Sequence, residues 1–512
     1  MATTPAAKQL GAALPALKAL QDQGRAVFQT DEFSRTDRQA LLSAGFLQPI
    51  LRGWYMPSRP DDRPGDTTPW YAAMDSFLGA YGNHRFGQGW HASPELSLLL
   101  HAGSTALPRQ FVLHSPAAGN NVIQLPDGYT LLDLKTKAAP APGDLTSIRG
   151  ISVLQLPVAL SRVEQPFFRA YPRDAQIALS QVPDASDLNR VLLEEGRSHY
   201  AGRLAGGFRA IGRGDIADEI VGAMRAVGYV VPEVNPFEAP PSVQSDERVG
   251  PAALRVRLMW AEMREAVLEV FPDTPGLPAD AGAYLSAVED IYKTDAYHSL
   301  SIEGYRVSEA LISKVASGDW NPELSESDKD ARNAMAARGY WLAHNVVKQT
   351  IGKILGGANA GQAYQSDHAA WYRELFAPSV EAGILSAADL AGYRGHQVFI
   401  RNAKHVPPPK ESVREMMPEL MRQLRAEPSA AVRAVLGHFV FVYIHPYMDG
   451  NGRLGRFLMN AMLASGGYPW TVIQLPRRDE YMAALNMASY EGNIRPFAEF
   501  VLSSMQVPPE RV

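Results

Sequence analysis

The chain contains no cysteine among its 512 residues. This absence excludes disulfide bonds, thiolate catalysis and cysteine-based zinc sites, and it is typical of proteins of the reducing cytoplasm, where we expect this protein to be located. The N-terminus lacks a basic segment leading into an apolar one, so no secretion signal is predicted. The longest apolar run, near Val435 to Ile444, is too short to span a bilayer, so no membrane association is predicted.

The chain also lacks a strong charge of either sign. The 49 Lys and Arg residues nearly balance the 54 Asp and Glu residues, which leaves a formal net charge of -5. This balance argues against wholesale binding to nucleic acid or anionic membranes and leaves only local basic patches open. Because single hydrophobic cores stop growing near ~250–300 residues, we expect two to four domains.

One stretch combines several chemically useful side chains within twelve residues. Residues 445–456 read HPYMDGNGRLGR and lie between two apolar runs, Ala431 to Ile444 and Phe457 to Ala464. Neither run contains proline, and Gly466 and Gly467 close the second. This pattern predicts a helix, a tight turn and a second helix.

The turn has the features of a phosphate site. Backbone N–H groups of a glycine-rich turn at the start of a helix form an anion-binding nest, and the sequence places one at Gly450, Asn451 and Gly452. Arg453 and Arg456 are three residues apart, so both guanidinium groups can face one ligand.

The turn also supplies a metal ligand and a base. Asp449 is a hard oxygen ligand of the kind that Mg²⁺ takes together with substrate phosphates. His445 can accept a proton near neutral pH. A lone histidine or a lone G-x-G is more often structural, but their conjunction with two arginines predicts phosphate-group chemistry.

This stretch resembles the signature of the Fic family, H-P-[FY]-x-[DE]-G-N-G-R-x-x-R, and it matches every fixed position with Tyr447 as the aromatic residue. The resemblance implies transfer of AMP from ATP to a Ser, Thr or Tyr hydroxyl of a target protein. It also implies a C-terminal domain with the all-α Fic fold, for which we predict residues 251–505.

The resemblance assigns a role to each polar residue of the turn. His445 would deprotonate the target hydroxyl, and Asp449 would hold the Mg²⁺ that bridges the α- and β-phosphates. Asn451 and the amides of the turn would cradle the phosphates. Arg453 would contact the β-phosphate side and Arg456 the γ-phosphate, with pyrophosphate as the leaving group.

A second motif lies earlier in the same domain. Residues 299–304 read SLSIEG at the end of a helix predicted from near Ala279, with Gly304 as its C-terminal cap. From Ser299 to Gly304 the stretch resembles the inhibitory motif of the family, [ST]-x-x-x-E-[GN]. The resemblance implies that Glu303 pairs with Arg456 and keeps the enzyme off, because one guanidinium cannot serve both a carboxylate and a phosphate.

Two further segments resemble parts of the family's substrate site. Val398, Phe399 and Ile400 alternate toward a turn and the chain returns at His405, which resembles the family's flap, a β-hairpin that aligns the target by strand addition. Tyr481 occupies the position at which the family's tyrosine lines the adenine pocket. Residues 488–493, ASYEGN, depart from the family's usual Ala-Asn-Glu-Gly.

The N-terminal region has a sequence pattern that differs from that of the C-terminal domain. Residues 1–60 predict helices followed by two short strands, a winged helix-turn-helix, and the GFL…RGWY pattern resembles AbiEi-type antitoxins. DNA contacts would fall on Arg35, Arg38 and Arg52, although a winged helix used only for packing is an equal alternative. Residues 61–230 resemble the α+β regulatory domain of the same proteins, and residues 231–250 read as a proline-rich linker.

The sequence therefore predicts a multidomain protein with a leading function and two alternatives. The leading function is self-inhibited AMP transfer to target proteins, with self-modification and a homodimer as further expectations from the family. The first alternative keeps the fold but transfers another group or removes AMP, with Glu303 activating water. The second is a DNA-binding regulator, in which the Fic fold only senses nucleotide.

Overall fold

The computed structural model describes residues 5–62, 66–238, 249–317, 328–401 and 403–506. The chain divides into two compact units, Met1–Pro251 with Phe399–Val406, and Ala252–Val398 with Pro407–Val512. No helix in these described ranges is both long enough and apolar enough to cross a membrane.

The first unit begins with helices and a small sheet. Its elements are α1 (Pro5–Asp22), β1 (Phe28–Gln29), a 3-10 turn (Thr30–Glu32), α2 (Arg35–Ser43), β2 (Leu47–Leu51) and β3 (Trp54–Pro57). Helix α2 begins after Ser34, whose hydroxyl oxygen caps the helix by accepting a hydrogen bond from the Asp37 backbone N–H. The antiparallel strands lie in the order β1-β3-β2, and the hairpin buries Leu47 and Trp54.

An α+β region follows, as the sequence predicts. Its first elements are α3 (Thr68–Phe86), β4 (His91–Ala92), α4 (Pro94–His101), β5 (Gln110–Ser115), β6 (Asn121–Gln124), β7 (Thr130–Lys135), β8 (Leu145–Ile148) and β9 (Ile151–Leu154). Four strands form a sheet in the order β4-β5-β7-β6, with β5 and β7 parallel, and β8 pairs with β9. Trp70, Phe77, Phe111 and Leu131 are fully buried between the helix and the sheet.

Six helices complete this region: α5 (Leu156–Arg162), α6 (Gln165–Ala170), α7 (Pro172–Ser180), α8 (Ser186–Glu194), α9 (Ser198–Ala210) and α10 (Gly214–Ala226). Helices α8 and α9 are separate. Gly196 lies between them with φ +62°, a left-handed conformation that ends a helix.

The predicted linker is partly packed. Val231 and Phe237 are buried in the core formed by α5 to α10. The carbonyl of Pro232 lies so close to Gly202 of α9 that a β-carbon there would come within 2.0 Å of its oxygen. Residues 231–237 therefore belong to the folded region, and residues 239–248 of the predicted linker lie outside the described residues.

The segment predicted as a flap packs within the first unit. Phe399 and Val406 contact its core, and the Val406 backbone N–H donates to the Thr105 carbonyl at 3.1 Å. His405 forms an isolated antiparallel bridge with Ala106.

The hairpin form of this flap is not confirmed. Over the described residues 396–401 and 403–409, no strand pairing joins the two arms, and Asn402 at the turn is not described. The returning arm carries Pro407 and Pro408, which have no N–H to donate to a ladder. Instead, the Gln397 side-chain amide donates to the Pro407 carbonyl at 2.8 Å.

The second unit is helical. Its helices are α11 (Pro251–Val270), α12 (Ala281–Asp290), α13 (Tyr292–Ile302), α14 (Glu309–Ser317), α15 (Asp328–Leu355), α16 (Ala360–Glu381), α17 (Lys410–Ala426), α18 (Ala430–Ile444), α19 (Asn451–Ala464), α20 (Arg478–Asn486) and α21 (Arg495–Gln506). The long helix predicted from Ala279 is divided into α12 and α13. The apolar runs on either side of residues 445–450 form α18 and α19, which are buried along most of their length and hold the turn between them rigidly.

Candidate active site

The turn between α18 and α19 begins with an unusual backbone conformation. His445 has φ +52° and ψ +60°, in the left-handed region, which costs a non-glycine residue roughly 1–2 kcal/mol. A residue before proline, here Pro446, normally adopts extended backbone. The surrounding structure must therefore hold His445 in place, and such restraint is common at functional sites.

Two other residues shape the turn. The Asn451 side chain accepts from the Tyr447 backbone N–H and donates to the Tyr447 carbonyl, both at 2.9 Å. Gly450 has φ +83°, and a β-carbon there would lie 2.9 Å from the Phe376 ring. The Asn451 amide therefore helps to close the turn, and its expected phosphate contact stays a prediction.

The guanidinium of Arg453 is buried and, among the described residues, has N–H donors that bind no acceptor. Its side chain is 1% exposed, and its guanidinium lies over the rings of Tyr305 and Phe376, at 5.2 and 5.3 Å from their centroids. Its Nη2 is 3.3 Å from Asp449 Oδ2, but among the described residues neither its Nε nor its Nη2 has a hydrogen-bond acceptor. Buried donors without acceptors are costly, so this guanidinium is suited to an anion that binds from outside.

Asp449 is the exposed member of this pair. Its side chain is 62% exposed, and Oδ1 accepts the Gly450 backbone N–H at 2.6 Å. No group of three or more His, Asp or Glu residues among the described residues could hold a metal ion. A single accessible carboxylate is nevertheless the donor set that Mg²⁺ uses when substrate phosphates complete its coordination.

The predicted pair of Glu303 and Arg456 is present. Arg456 Nη2 donates to Glu303 Oε1 at 2.8 Å, while Nε donates to Ser299 Oγ at 2.9 Å and Nη2 also donates to the Ser299 carbonyl at 3.0 Å. Burial opposes the charge of Arg456, yet the negative charge of Glu303 raises the pKa of that guanidinium above its ordinary value. Gly304, with φ +86°, ends α13 directly after Glu303. Ser299 of α13 and Glu303, which caps that helix, therefore supply these three acceptors.

The Glu303 carboxylate also covers the start of α19. A β-carbon at Gly452 would lie only 2.2 Å from Glu303 Oε1, so the carboxylate lies against the first turn of that helix. Backbone N–H groups at a helix N-terminus attract anions. Glu303 thus occupies the place in which the sequence predicts a phosphate.

The His445 side chain is suited to act as a base. Its Nδ1 lies 3.3 Å from the Val442 carbonyl oxygen. Because a carbonyl can only accept, this contact places the ring proton on Nδ1 and leaves Nε2 as the basic nitrogen. Burial lowers the pKa of His445 to about 4, so the imidazole is neutral at pH 7.

Tyr481, which the sequence analysis places at the adenine pocket, is a buried residue of α20. Its ring packs against Phe497 and Phe500 of α21, and its hydroxyl lies 2.8 Å from His438 Nε2. Its expected contact with adenine stays a prediction.

The three arginines predicted to contact DNA are placed unequally. Arg35 and Arg52 are exposed on α2 and on the turn of the β2–β3 hairpin. Arg38 instead donates from Nη1 to the Thr30 carbonyl at 2.8 Å and lies over the Tyr55 ring. Arg38 therefore supports the fold of this region.

Sequence reasoning missed Arg394. Its Nε donates to the His445 carbonyl at 2.9 Å, and its backbone N–H donates to the Pro446 carbonyl at 2.8 Å. No motif marks this position, and 51 residues separate it from His445. Only the folded chain brings the two residues together.

Comparisons with known proteins find similarity to Fic proteins. Residues 365–463 match the model of the family described as Fic/DOC. A protein adenylyltransferase Fic from Nematostella vectensis is 28% identical over 251 residues, which cover 48% of this chain and 55% of that protein. The protein of the same name from Drosophila yakuba is 39% identical over 113 residues, covering 21% and 22%. A solved structure of Fic-1 (aa134 - 508) from C. elegans is 18% identical, covers 68% of this chain and 94% of that chain, and has a TM-score of 0.35.

The chain thus spans about half the length of the Nematostella relative and about a fifth of the Drosophila one. The matched stretch contains the whole turn from His445 to Arg456, all of α18 and nearly all of α19, whereas Glu303 lies outside it. Residues 365–463 are thus similar to the Fic/DOC family, and the match includes the turn described above.

Proposed function

We propose that this protein transfers AMP from ATP to a Ser, Thr or Tyr hydroxyl of a target protein. The observation that carries the proposal is a neutral, half-buried His445 at one end of a turn whose other end presents the buried guanidinium groups of Arg453 and Arg456. The relatives named protein adenylyltransferase support the same reaction.

The chemistry follows from these positions. His445 Nε2 takes the proton of the target hydroxyl, whose oxygen then forms a bond to the α-phosphorus of ATP, while the bond from that phosphorus to the bridging oxygen breaks. Pyrophosphate leaves with the electron pair of the broken bond. Arg453 and the backbone N–H groups at the start of α19 stabilise the negative charge on the phosphates, which is the main source of catalysis in such transfers. Asp449 would hold a Mg²⁺ ion that neutralises part of the phosphate charge.

The Glu303–Arg456 contact supports inhibition within the chain. Arg456 cannot bind a terminal phosphate while Nη2 donates to Glu303 and the carboxylate covers Gly452. We therefore propose that ATP binds productively only after Glu303 leaves this position. The same carboxylate, close to the phosphate site, keeps AMP removal as the alternative reaction of the same site.

The reaction can be tested by the position of the label. Purified protein incubated with a cell lysate, Mg²⁺ and ATP radiolabelled at the α-phosphate should produce labelled protein bands, whereas ATP labelled at the γ-phosphate should produce none. Transfer of a terminal phosphate would give the opposite pattern and would exclude AMP transfer. A labelled band at the size of the chain itself would show self-modification.

We also propose that residues 5–57 form a winged helix-turn-helix that binds DNA. Three helical segments followed by the β2–β3 hairpin support this, and so do the exposed side chains of Arg35 and Arg52. Phosphate contacts by such arginines give DNA affinity that falls steeply with salt.

This proposal predicts unequal effects of the arginines. Arg35→Ala and Arg52→Ala should each weaken binding to a DNA fragment by about 3- to 10-fold in an electrophoretic mobility assay, and each should lower the salt slope by about one. Arg173→Ala, an arginine of α7 outside this region, is the control. If the unaltered protein binds no DNA at low salt, this region has a packing role instead.

A further inference from the structure

Arg394 connects three separate pieces of backbone in the catalytic unit. It is 5% exposed, and its three guanidinium nitrogens each donate to a different carbonyl: Nε to His445 at 2.9 Å, Nη1 to His396 at 3.0 Å and Nη2 to Pro408. Its backbone N–H donates to the Pro446 carbonyl at 2.8 Å. One residue thus holds two successive carbonyls of the catalytic turn and both ends of the 396–408 segment.

These contacts act on the strained residue. His445 keeps its left-handed backbone, with φ +52° before a proline, only if its neighbouring peptide groups are held. The carbonyls of His445 and Pro446 lie on the C-terminal side of that strain, and Arg394 binds both. On the N-terminal side, the His445 backbone N–H continues the hydrogen-bonding of α18 by donating to the Phe441 carbonyl at 3.0 Å. The backbone of His445 is therefore held from both directions.

Burying an arginine costs free energy, so a residue that only joined segments of backbone would not need to be an arginine. Among the described residues no carboxylate forms an ion pair with Arg394, and burial lowers the pKa of its guanidinium to about 10. Its charge is stabilised by three carbonyl dipoles and, without direct pairing, by the negative charge of Glu411. The planar guanidinium can serve three acceptors in fixed directions, whereas a lysine ammonium offers a single compact centre that cannot span the same three carbonyls.

We propose that Arg394 is a positioning residue for the catalytic base. Arg394 sets the direction of the His445 imidazole and joins the His445 backbone to both ends of the 396–408 segment. The proposal rests on the proposed AMP transfer for its kinetic consequence, but its structural consequence can be measured without any reaction. Loss of Arg394 should misplace Nε2 of His445 relative to the target hydroxyl while leaving the nucleotide site intact, since no contact joins Arg394 to Arg453 or to Arg456.

The test uses the full chain carrying Glu303→Gly, with Arg394→Gln, Arg394→Lys or Arg414→Ala added. Arg414 is an exposed arginine of α17 and serves as the matched control. We expect kcat to fall at least about 30-fold in Arg394→Gln and at least about 10-fold in Arg394→Lys, since even small misplacement of a reacting group is costly. The KM for ATP should stay within about twofold, and Arg414→Ala should match its parent.

A second measurement separates the two proposals. The ring resonances of His445, assigned in a nuclear magnetic resonance spectrum by their loss in His445→Ala, should shift in Arg394→Lys and stay in place in Arg414→Ala, without ATP. If the Glu303→Gly parent transfers no AMP, the proposed function fails while this spectrum still decides the role of Arg394. Unchanged His445 resonances together with unchanged kcat would overturn the positioning role. A rise in KM that accounts for the whole loss of kcat/KM would overturn it as well. If Arg394→Gln does not fold, Arg394→Lys, which keeps the charge, decides the result.

Discussion

Replacing Glu303 with glycine should raise the rate of AMP transfer by about 10- to 100-fold. The carboxylate pairs with Arg456 Nη2 at 2.8 Å and covers Gly452, so its removal opens the nest and frees a buried guanidinium for phosphate. A hydrogen bond to a charged group contributes about 1.5–3 kcal/mol, and each 1.4 kcal/mol is a tenfold change in an equilibrium. The measurement is the initial rate of label transfer from ATP labelled at the α-phosphate, together with ATP affinity by calorimetry.

Two comparisons make this result specific to the carboxylate. Glu303→Gln keeps the size of the side chain but removes its charge, so it should activate less than Glu303→Gly because the amide still covers Gly452. Glu499→Gln, which alters an exposed carboxylate of α21, should behave as the unaltered protein does. Equal rates for Glu303→Gly and the unaltered protein would show that this contact does not limit the reaction. Release of AMP from a modified protein that is lost in Glu303→Gln would instead favour the reverse activity.

Replacing His445 with alanine in the Glu303→Gly protein should lower kcat by about 10²- to 10⁴-fold, the usual contribution of a general base. ATP affinity should change little, because the buried guanidinium groups and the backbone N–H groups of α19 form the phosphate site. The pH dependence should be unusual for a histidine. Burial lowers the pKa of His445 to about 4, so kcat/KM, which reports the free enzyme, should stay level from pH 8 down to about 5 and fall only near pH 4.

The matched control for this substitution is His199→Ala, an exposed histidine of α9. It should leave the rate and the pH profile unchanged. A profile of the Glu303→Gly protein that falls already near pH 6.5 would mean that His445 is more exposed to water than the structure shows. Full activity of His445→Ala would remove the histidine from the mechanism altogether.

Much of the fold could be predicted from local sequence. Helices α18 and α19 follow from two proline-free apolar runs. Periodicity was less reliable at a break within a longer helical stretch. No proline or glycine marks the division of α12 from α13 at Ile291, so sequence pattern alone joined the two into one helix.

Part of the candidate site could be predicted because its residues are close together in the sequence. Residues within one turn of each other, such as Asp449, Gly450 and Arg453, must lie together whatever the rest of the chain does. The pairing of Glu303 with Arg456 spans 153 residues, and only the resemblance to a known motif made it predictable. Asn451 and Tyr481 are assigned to ligands only from their positions in a motif, so the sequence did not predict that Asn451 also bonds the Tyr447 backbone or that Tyr481 packs against α21.

The sequence alone determined that His445, Asp449, the glycine-rich turn and both arginines lie within twelve contiguous residues, and this grouping predicts phosphate-binding chemistry. Only the tertiary structure decided how that turn is held and closed. Arg394 reaches the His445 and Pro446 carbonyls across 51 residues, and Glu303 comes to lie over Gly452 through the packing of α13. Every residue has a backbone carbonyl, so the acceptors that Arg394 binds leave no pattern in the sequence.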